Sequence, residues 1–316
     1  MPFSLRELRY FLAAADHRSA TAAATAVNVS QPSISLAVAD LEKRLGVQLF
    51  VRHHARGLAL TPAGTDILRE ARKLLAQASD LEAMASSLGD ELRGRLKIGC
   101  LPYLTPRYLP AILAGFTRRH PDIEIDFIED DQSELVQSLM TGEIEMALTY
   151  NLDLPNNVEV DVLYDLPPYV IVSDRHSLAS RKRIDMKLLA AEPVILLDLP
   201  ISRDYYRTVF NILKISPQIR YRSKSVEAVR GFVANGLGYS ILNHRSETNL
   251  TYDGSRLAAL EISQILPSAR IAAIIPAGMK LRRIVKTFID YTKEHFRSNP
   301  NVSHARKLAM GSSILP

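Results

Sequence analysis

The sequence predicts an α/β protein in which a small helical unit and one long helix precede a larger domain of two α/β lobes. Three observations lead to this prediction. Apolar residues recur at helical spacing over residues 5–45, a heptad pattern runs through residues 67–92, and strand and helix patterns alternate after residue 93. We expect domains at residues 1–60, 61–92 and 93–297, with a polar tail at residues 298–316.

The first domain is predicted to contain three helices. Leu8 and Phe11 lie on the apolar face of the first helix, and residues 20–26 form a short, alanine-rich second helix. Ser30 is a favourable N-cap for a third helix, whose first turn tolerates Pro32. A short second helix, a tight turn and a third helix that starts with small polar groups are typical of a DNA-binding helix-turn-helix.

A basic hairpin is predicted directly after the third helix. Residues 49–60 contain two apolar arms around a basic tip, which suits a β-hairpin wing that follows the phosphate backbone of DNA. Small hydroxyl and amide side chains at the start of the third helix allow a close approach to base edges. A solvated polar helix face is the alternative interpretation. The predicted DNA contacts are Ser30, Gln31, Pro32, Ser33 and Ser35 in the helix and Arg52, His53 and Arg56 in the wing.

Three motifs of this domain are similar to those of a known family. Val-Ser-Gln-Pro-Ser-Ile-Ser at residues 29–35, Leu-Gly-Val-Gln-Leu-Phe at 45–50 and Leu-Thr-Pro-Ala-Gly at 60–64 resemble LysR-type transcriptional regulators. The resemblance implies a winged helix-turn-helix, a linker helix and a two-lobed α/β effector domain that resembles periplasmic binding proteins. It also implies a DNA-binding regulator of transcription that responds to a small molecule. Leu36 and Ala37 stand where many relatives carry a polar or basic pair, so the expected base contacts move to Gln31, Ser33 and Ser35.

The long helix is predicted to begin at Thr61, a good N-cap that Pro62 follows in the first turn. Its apolar residues are spaced alternately by four and three, which is the seam of a coiled coil. We therefore expect a homodimer or homotetramer whose two-fold axis matches a pseudo-palindromic operator in double-stranded DNA. Packing of the seam against the chain's own body is the alternative. The predicted dimerisation residues are Ile67, Ala71, Leu74, Ala78, Leu81, Ala85 and Leu88.

The alternating pattern after residue 93 predicts parallel sheets with helices on both faces. The chain is expected to cross between the lobes near residues 163 and 267. Lobe I then takes about residues 93–163 and 267–297, and lobe II takes about 164–266. Ligands of such folds lie beyond the carboxyl ends of the strands, so the effector is expected between the lobes.

The residues that follow the predicted strands are the candidate effector contacts. Four of them also match positions where the resembling family often contacts its effector, namely Tyr103, Gln132, Ser202 and Val226. Residues 175–230 contain twelve Lys and Arg against five Asp and Glu, which favours an anionic effector unless the excess is simply a solvated surface. The full set is Pro102, Tyr103, Thr105, Gln132, Ser133, Asn151, Pro200, Ser202, Arg203 and Val226.

Other classes of protein find little support in the sequence. It has no Gly-rich phosphate loop, no metal-ligand spacing among its eight histidines and no nucleophile elbow, so we predict no enzyme, catalytic residue, metal or cofactor. The lone cysteine, Cys100, favours packing over a redox role. No apolar run could span a membrane and no signal peptide is evident, so we expect a cytoplasmic protein. A solute-binding protein would fit the lobes alone but would need an export signal. Contact with RNA polymerase is left open.

Overall fold

The computed structural model describes residues 3–53, 57–86, 92–246 and 248–298. These described residues form two compact units. The first takes those within residues 3–149, 156–159 and 273–291, and the second takes those within residues 150–155, 160–272 and 292–298. The chain changes unit at residues 149–150, 155–156, 159–160, 272–273 and 291–292, whereas the sequence analysis expected two crossings, near residues 163 and 267.

Three short helices open the first unit: α1 (Leu5–His17), α2 (Ala20–Ala26) and α3 (Gln31–Leu45). Local capping explains their bounds. The Ser4 hydroxyl accepts a hydrogen bond from the Glu7 amide at the start of α1, and Gly46 ends α3 with a φ of +69°. A common core lies between the helices, built around the fully buried side chains of Phe11, Ile34, Leu41 and Leu49.

A two-stranded wing follows α3. Strands β1 (Phe50–His53) and β2 (Gly57–Leu60) pair antiparallel, with Phe50 opposite Leu60. The second strand is tied to the turn after α1, because the Leu58 amide donates to the Arg18 carbonyl at 2.9 Å. Gly57 has a φ of +77° and a Cβ there would clash with the same carbonyl, so this position requires glycine.

The long helix α4 (Pro62–Ser86) begins as predicted. The Thr61 hydroxyl accepts a hydrogen bond from the Gly64 amide at 2.8 Å, which caps the first turn. Leu68 and Ala71 are buried in the core of α1–α3, and this end of the helix is thereby fixed to the three-helix domain.

One five-stranded sheet follows. Its strands and the helices beside it are β3 (Gly94–Cys100), α5 (Thr105–Arg119), β4 (Ile123–Glu129), α6 (Gln132–Met140), β5 (Met146–Tyr150), β6 (Val158–Leu166), β13 (Ala269–Pro276) and α9 (Arg283–Ser298). The strand order is β4-β3-β5-β13-β6, and β3 runs parallel to both β4 and β5 as expected. The carboxyl ends of β3, β4 and β5 therefore meet at one edge of the sheet.

The second unit contains a four-stranded and a two-stranded sheet. Its elements are β7 (Tyr169–Ser173), β8 (Arg183–Ile184), a 3-10 helix (Met186–Leu189), β9 (Pro193–Leu197), α7 (Pro200–Leu213), β10 (Gln218–Ser223), α8 (Val226–Ala234), β11 (Ser240–Leu242) and β12 (Leu257–Ile262). The orders are β11-β7-β12-β8 and β10-β9, and an isolated bridge joins Val194 to Tyr239.

The expectation of purely parallel sheets is wrong for the second unit. Strand β9 is parallel to β10, but β7 runs antiparallel to both β11 and β12. The sequence pattern did not reveal this because the side chains of β7 are buried throughout, and such a strand has the same apolar run in either direction.

Candidate DNA interface and effector site

The polar side chains at the start of α3 lie together on the surface. The Ser30 hydroxyl accepts a hydrogen bond from the Ser33 amide and lies 2.7 Å from the Ser33 hydroxyl. One turn along, Gln31 donates from Nε2 to the Ser35 hydroxyl at 2.7 Å. Gln31 and Pro32 are exposed. The predicted helix contacts are therefore brought together, in two hydrogen-bonded pairs that orient their polar groups.

Leu36 is a surface residue that the sequence analysis set aside. It is 64% exposed on α3, immediately after Ser35. An apolar side chain beside the polar groups at the start of α3 suits contact with the C5-methyl group of thymine in the major groove. In the sequence, Leu36 could have been noticed because it lies outside the apolar face of α3 formed by Ile34, Val38 and Leu41.

The wing residues are located only in part. Arg52 and His53 lie in strand β1, but their side chains are not described, and Arg56 lies outside the described residues. Their contacts with phosphate remain predictions.

The seam of α4 divides into two parts. Ala71 is 4% exposed within the core of the N-terminal domain, and Ile67 and Leu74 pack against that core. Leu81, by contrast, is 67% exposed. The side chain of Ala85 is not described, and Leu88 lies outside the described residues. Any partner helix would thus meet the part of the seam that begins near Ala78.

Buried polar groups lie at the carboxyl ends of the strands in the first unit. Gln132, the first residue of α6, is 7% exposed, and its Oε1 accepts a hydrogen bond from the Thr149 hydroxyl at 2.7 Å. Thr149 is fully buried near the end of β5. The sequence analysis missed Thr149, although it is the one aliphatic hydroxyl in the apolar strand Met146–Tyr150.

Cys100 ends the neighbouring strand β3 in a fully buried position. The pKa of its thiol is raised to about 12, chiefly by burial; a hydrogen bond with Thr105 partly offsets this, and the charge of Glu129 adds a smaller increase. Thr105, a predicted effector contact, also donates to the Leu101 carbonyl at 3.2 Å. The thiol is therefore un-ionised at neutral pH.

The other predicted residues of the first unit are less enclosed. Pro102 is exposed and Tyr103 is half-buried in the turn that follows β3. Ser133 is exposed and donates to the Asp131 carboxylate at 2.5 Å, a hydrogen bond that lowers the pKa of Asp131. The Ser133 hydroxyl thus supports the N-terminus of α6.

In the second unit the predicted residues lie where α7 and α8 begin. Helix α7 starts at Pro200, and the Ser202 hydroxyl accepts a hydrogen bond from the Leu199 amide at 3.3 Å. Val226 is the first residue of α8, which the Ser225 hydroxyl caps. Asn151 lies apart from them, with its amide hydrogen-bonded to the Arg270 carbonyl at 2.8 Å.

Arg203 is paired rather than isolated. Its Nε donates to the Asp198 carboxylate at 2.7 Å, and the other oxygen of that carboxylate lies 3.5 Å from Nη1 of Arg222. The hydrogen bond from Arg203 is the main cause that lowers the pKa of Asp198. Two guanidinium groups share one carboxylate at the carboxyl ends of the parallel strands β9 and β10, which leaves a net positive charge there. Sequence reasoning missed both Asp198 and Arg222.

Comparison with known proteins identifies the family. Residues 5–65 match the bacterial regulatory helix-turn-helix protein family of lysR type, and residues 89–297 match the LysR substrate binding domain. The chain belongs to the LysR family of transcriptional regulators. It is 30% identical to the uncharacterized regulator YnfL of Escherichia coli over 77% of this chain and 82% of YnfL.

Solved structures of LysR-family proteins resemble the chain as well. HinK, a LysR family regulator from Pseudomonas aeruginosa, is 34% identical with a TM-score of 0.63, over 93% of this chain and 98% of HinK. A full-length OxyR variant from the same organism is 26% identical with a TM-score of 0.71, over 92% and 98% of the two chains. These matches confirm the predicted fold class and a DNA-binding regulator with an effector-binding domain, and they indicate a regulator rather than an enzyme.

Two features are absent from the described part of the chain. It contains no group of three or more His, Cys, Asp or Glu placed to hold a metal ion. Among those same residues, no helix is both long and apolar enough to cross a membrane.

Proposed function

We propose that this LysR-family regulator binds a pseudo-palindromic operator in a sequence-specific manner and that a small-molecule effector held by the two lobes controls this binding. The observation that carries the proposal is the pair of hydrogen-bonded polar groups at the start of α3, where Gln31 is exposed with its amide held by Ser35. An amide oriented in this way suits recognition of an adenine edge.

The chemistry of the second unit favours an anionic effector. Arg203 and Arg222 share Asp198, so one positive charge is in excess where α7 and α8 begin. Helix N-termini add partial positive charge through their amide groups. Both the excess positive charge and the helix N-termini would attract a carboxylate or another small anion. We keep as proposed effector contacts Pro102, Tyr103, Thr105, Gln132, Ser133, Asn151, Pro200, Ser202, Arg203 and Val226.

A second candidate signal is oxidation, because a similar protein from Pectobacterium carotovorum is named a hydrogen peroxide-inducible genes activator. Oxidation of a cysteine requires a thiolate that the oxidant can reach. Cys100 is the only cysteine of the chain, is fully buried and has a pKa raised to about 12. These properties favour a bound effector over oxidation of this thiol.

The assembly and location that we propose follow from this function. Two DNA-binding domains joined through α4 in a homodimer or homotetramer would read two half-sites, and chromosomal DNA places the regulator in the cytoplasm. RNA polymerase is a further candidate partner for control of transcription at such a site.

Selection from a random duplex pool tests sequence-specific binding by the full-length chain. We expect enrichment of two related half-sites separated by one helical turn or a multiple of it. Recovery of unrelated sequences at every round would refute the proposal.

A thermal-shift screen tests the anionic effector. It should compare small carboxylates with their amides, because a ligand that binds the folded state raises the melting temperature of the protein. A shift by the amides alone would refute an anionic effector.

A further inference from the structure

Glu42 of α3 joins the recognition helix to the wing. Its Oε1 accepts two backbone hydrogen bonds, from the Leu49 amide at 2.7 Å and from the Phe50 amide at 3.1 Å. Phe50 is the first residue of strand β1. One carboxylate oxygen therefore holds the point at which the chain leaves the loop after α3 and enters the wing.

The position of this carboxylate is unfavourable for a negative charge in two respects. It lies in the last turn of α3, where the helix dipole favours cations, and Lys43 and Arg44 follow it. It also places a negative charge in a domain that must approach phosphates. The two wing amides supply the physical reason for an acidic residue here.

The same segment is held from the other side by the start of α4. The Thr61 amide donates to the Leu49 carbonyl at 3.0 Å, and the Thr61 hydroxyl donates to the Gln48 carbonyl at 2.6 Å. Strand β2 is tied separately to Arg18. Of these contacts, those of Glu42 alone run directly from the recognition helix to β1.

We infer that Glu42 is a positioning residue that sets the wing at the distance from α3 at which base contacts and phosphate contacts form together. The inference rests on the proposed DNA-binding function. Buried Leu49 and Phe50 and the contacts with Thr61 would still hold the segment, but without the two hydrogen bonds β1 would lose its polar link to α3 and be positioned less firmly. The wing would then lose its phosphate contact while the polar groups at the start of α3 remained in place.

Matched variants of the full-length chain separate this role from a charge effect. Glu42→Gln removes the charge but keeps an oxygen acceptor, whereas Glu42→Met has a similar length and no such acceptor. Glu42→Asp keeps the charge but shortens the reach, so it serves if Glu42→Met fails to fold. Asp40→Asn removes a charge from the same helix and serves as the control.

Binding to random duplex DNA should be measured from 50 to 200 mM salt, with amide hydrogen exchange over residues 47–53. For Glu42→Met and Glu42→Asp we expect a salt slope lower by about 0.9 per bound wing and faster exchange in this segment. For Glu42→Gln and Asp40→Asn we expect a wild-type slope and wild-type exchange.

The outcomes distinguish the proposed DNA-binding function from the positioning role of Glu42. A wild-type chain that does not retard duplex DNA would refute the proposed function. If the wild type binds and Glu42→Met has the same salt slope and exchange as Glu42→Gln, the function stands and the positioning role is overturned.

Discussion

At the scale of single residues, the structure assigns different roles to polar groups that look alike in the sequence. Gln31, Ser33 and Ser35 all suit a DNA contact, but the Ser35 hydroxyl accepts a hydrogen bond from the Gln31 amide. Ser33 is similarly paired with Ser30. We therefore propose that Gln31 contacts DNA and that Ser35 orients its side-chain amide.

Replacement of Gln31 tests this assignment. We expect Gln31→Ala to weaken binding to the selected operator by about 1 to 3 kcal/mol and to leave binding to random DNA almost unchanged, because a base contact is lost. Ser35→Ala should have a smaller effect of the same kind, since only orientation is lost. Titration of both duplexes at one salt concentration measures the difference, and an equal loss on both would refute the base contact.

The reactivity of the Cys100 thiol is a second prediction at the scale of single residues. Burial raises its pKa to about 12, and the thiolate is the reactive form, so the folded chain has on the order of a thousandfold less thiolate at pH 7.5 than an ordinary thiol. We expect slow alkylation in the folded chain and rapid alkylation in urea. Operator binding that survives hydrogen peroxide would agree with this, whereas rapid labelling of the folded chain would contradict it.

At the scale of the element, the two parts of α4 differ in their surroundings. Its first turns complete the core of the DNA-binding domain, as buried Leu68 and Ala71 show. Further along, Leu81 is exposed. The packing of the seam against the chain's own body, which was the alternative interpretation, therefore applies to the start of the helix.

A charge at Leu81 tests the remaining part of the seam. We expect Leu81→Glu to abolish dimers, because two like charges would meet in a desolvated two-fold interface. Ser79→Glu adds the same charge at an exposed position away from the seam and its flanking positions and should leave dimers intact. Sedimentation measures both variants, and an intact Leu81→Glu dimer would rule out the seam. Operator affinity should fall with dimerisation, because two linked half-site contacts act at a high effective concentration.

At the scale of the whole molecule, control of DNA binding requires that the effector favour one of two conformations. The shift cannot exceed the difference in its affinity for the two. Polar groups suited to a ligand are present at the strand ends of both units, in the buried Gln132 and Thr149 pair and in the Ser202 and Arg203 turn.

Variants in the second unit test this control. We expect Ser202→Ala and Arg203→Ala to lose the effect of the effector on operator affinity, with the larger loss for Arg203→Ala if the effector is an anion. DNA binding and dimerisation should persist. Arg207→Ala removes a paired cation from the same helix and should respond normally. Affinity for the operator with and without the effector found by thermal shift is the measurement, and full responses in both test variants would refute the site.

The sequence by itself determined the elements whose signals are local. Ser30, Pro32 and Gly46 marked the bounds of α3, and Thr61 marked the start of α4, because capping depends on residues within one turn. The candidate DNA contacts at the start of α3 could also be proposed from the sequence, because they lie within one turn of the cap that marks this helix end.

Only the tertiary structure decided what depends on residues far apart along the chain. The direction of β7, the pairing of Gln132 with Thr149 and the link from Glu42 to the wing each require a partner that no local pattern identifies. Apolar periodicity reports whether a side chain is buried, but it does not report which strand or side chain lies opposite. That choice is made by packing, where each buried polar group must find a hydrogen-bond partner from another part of the chain.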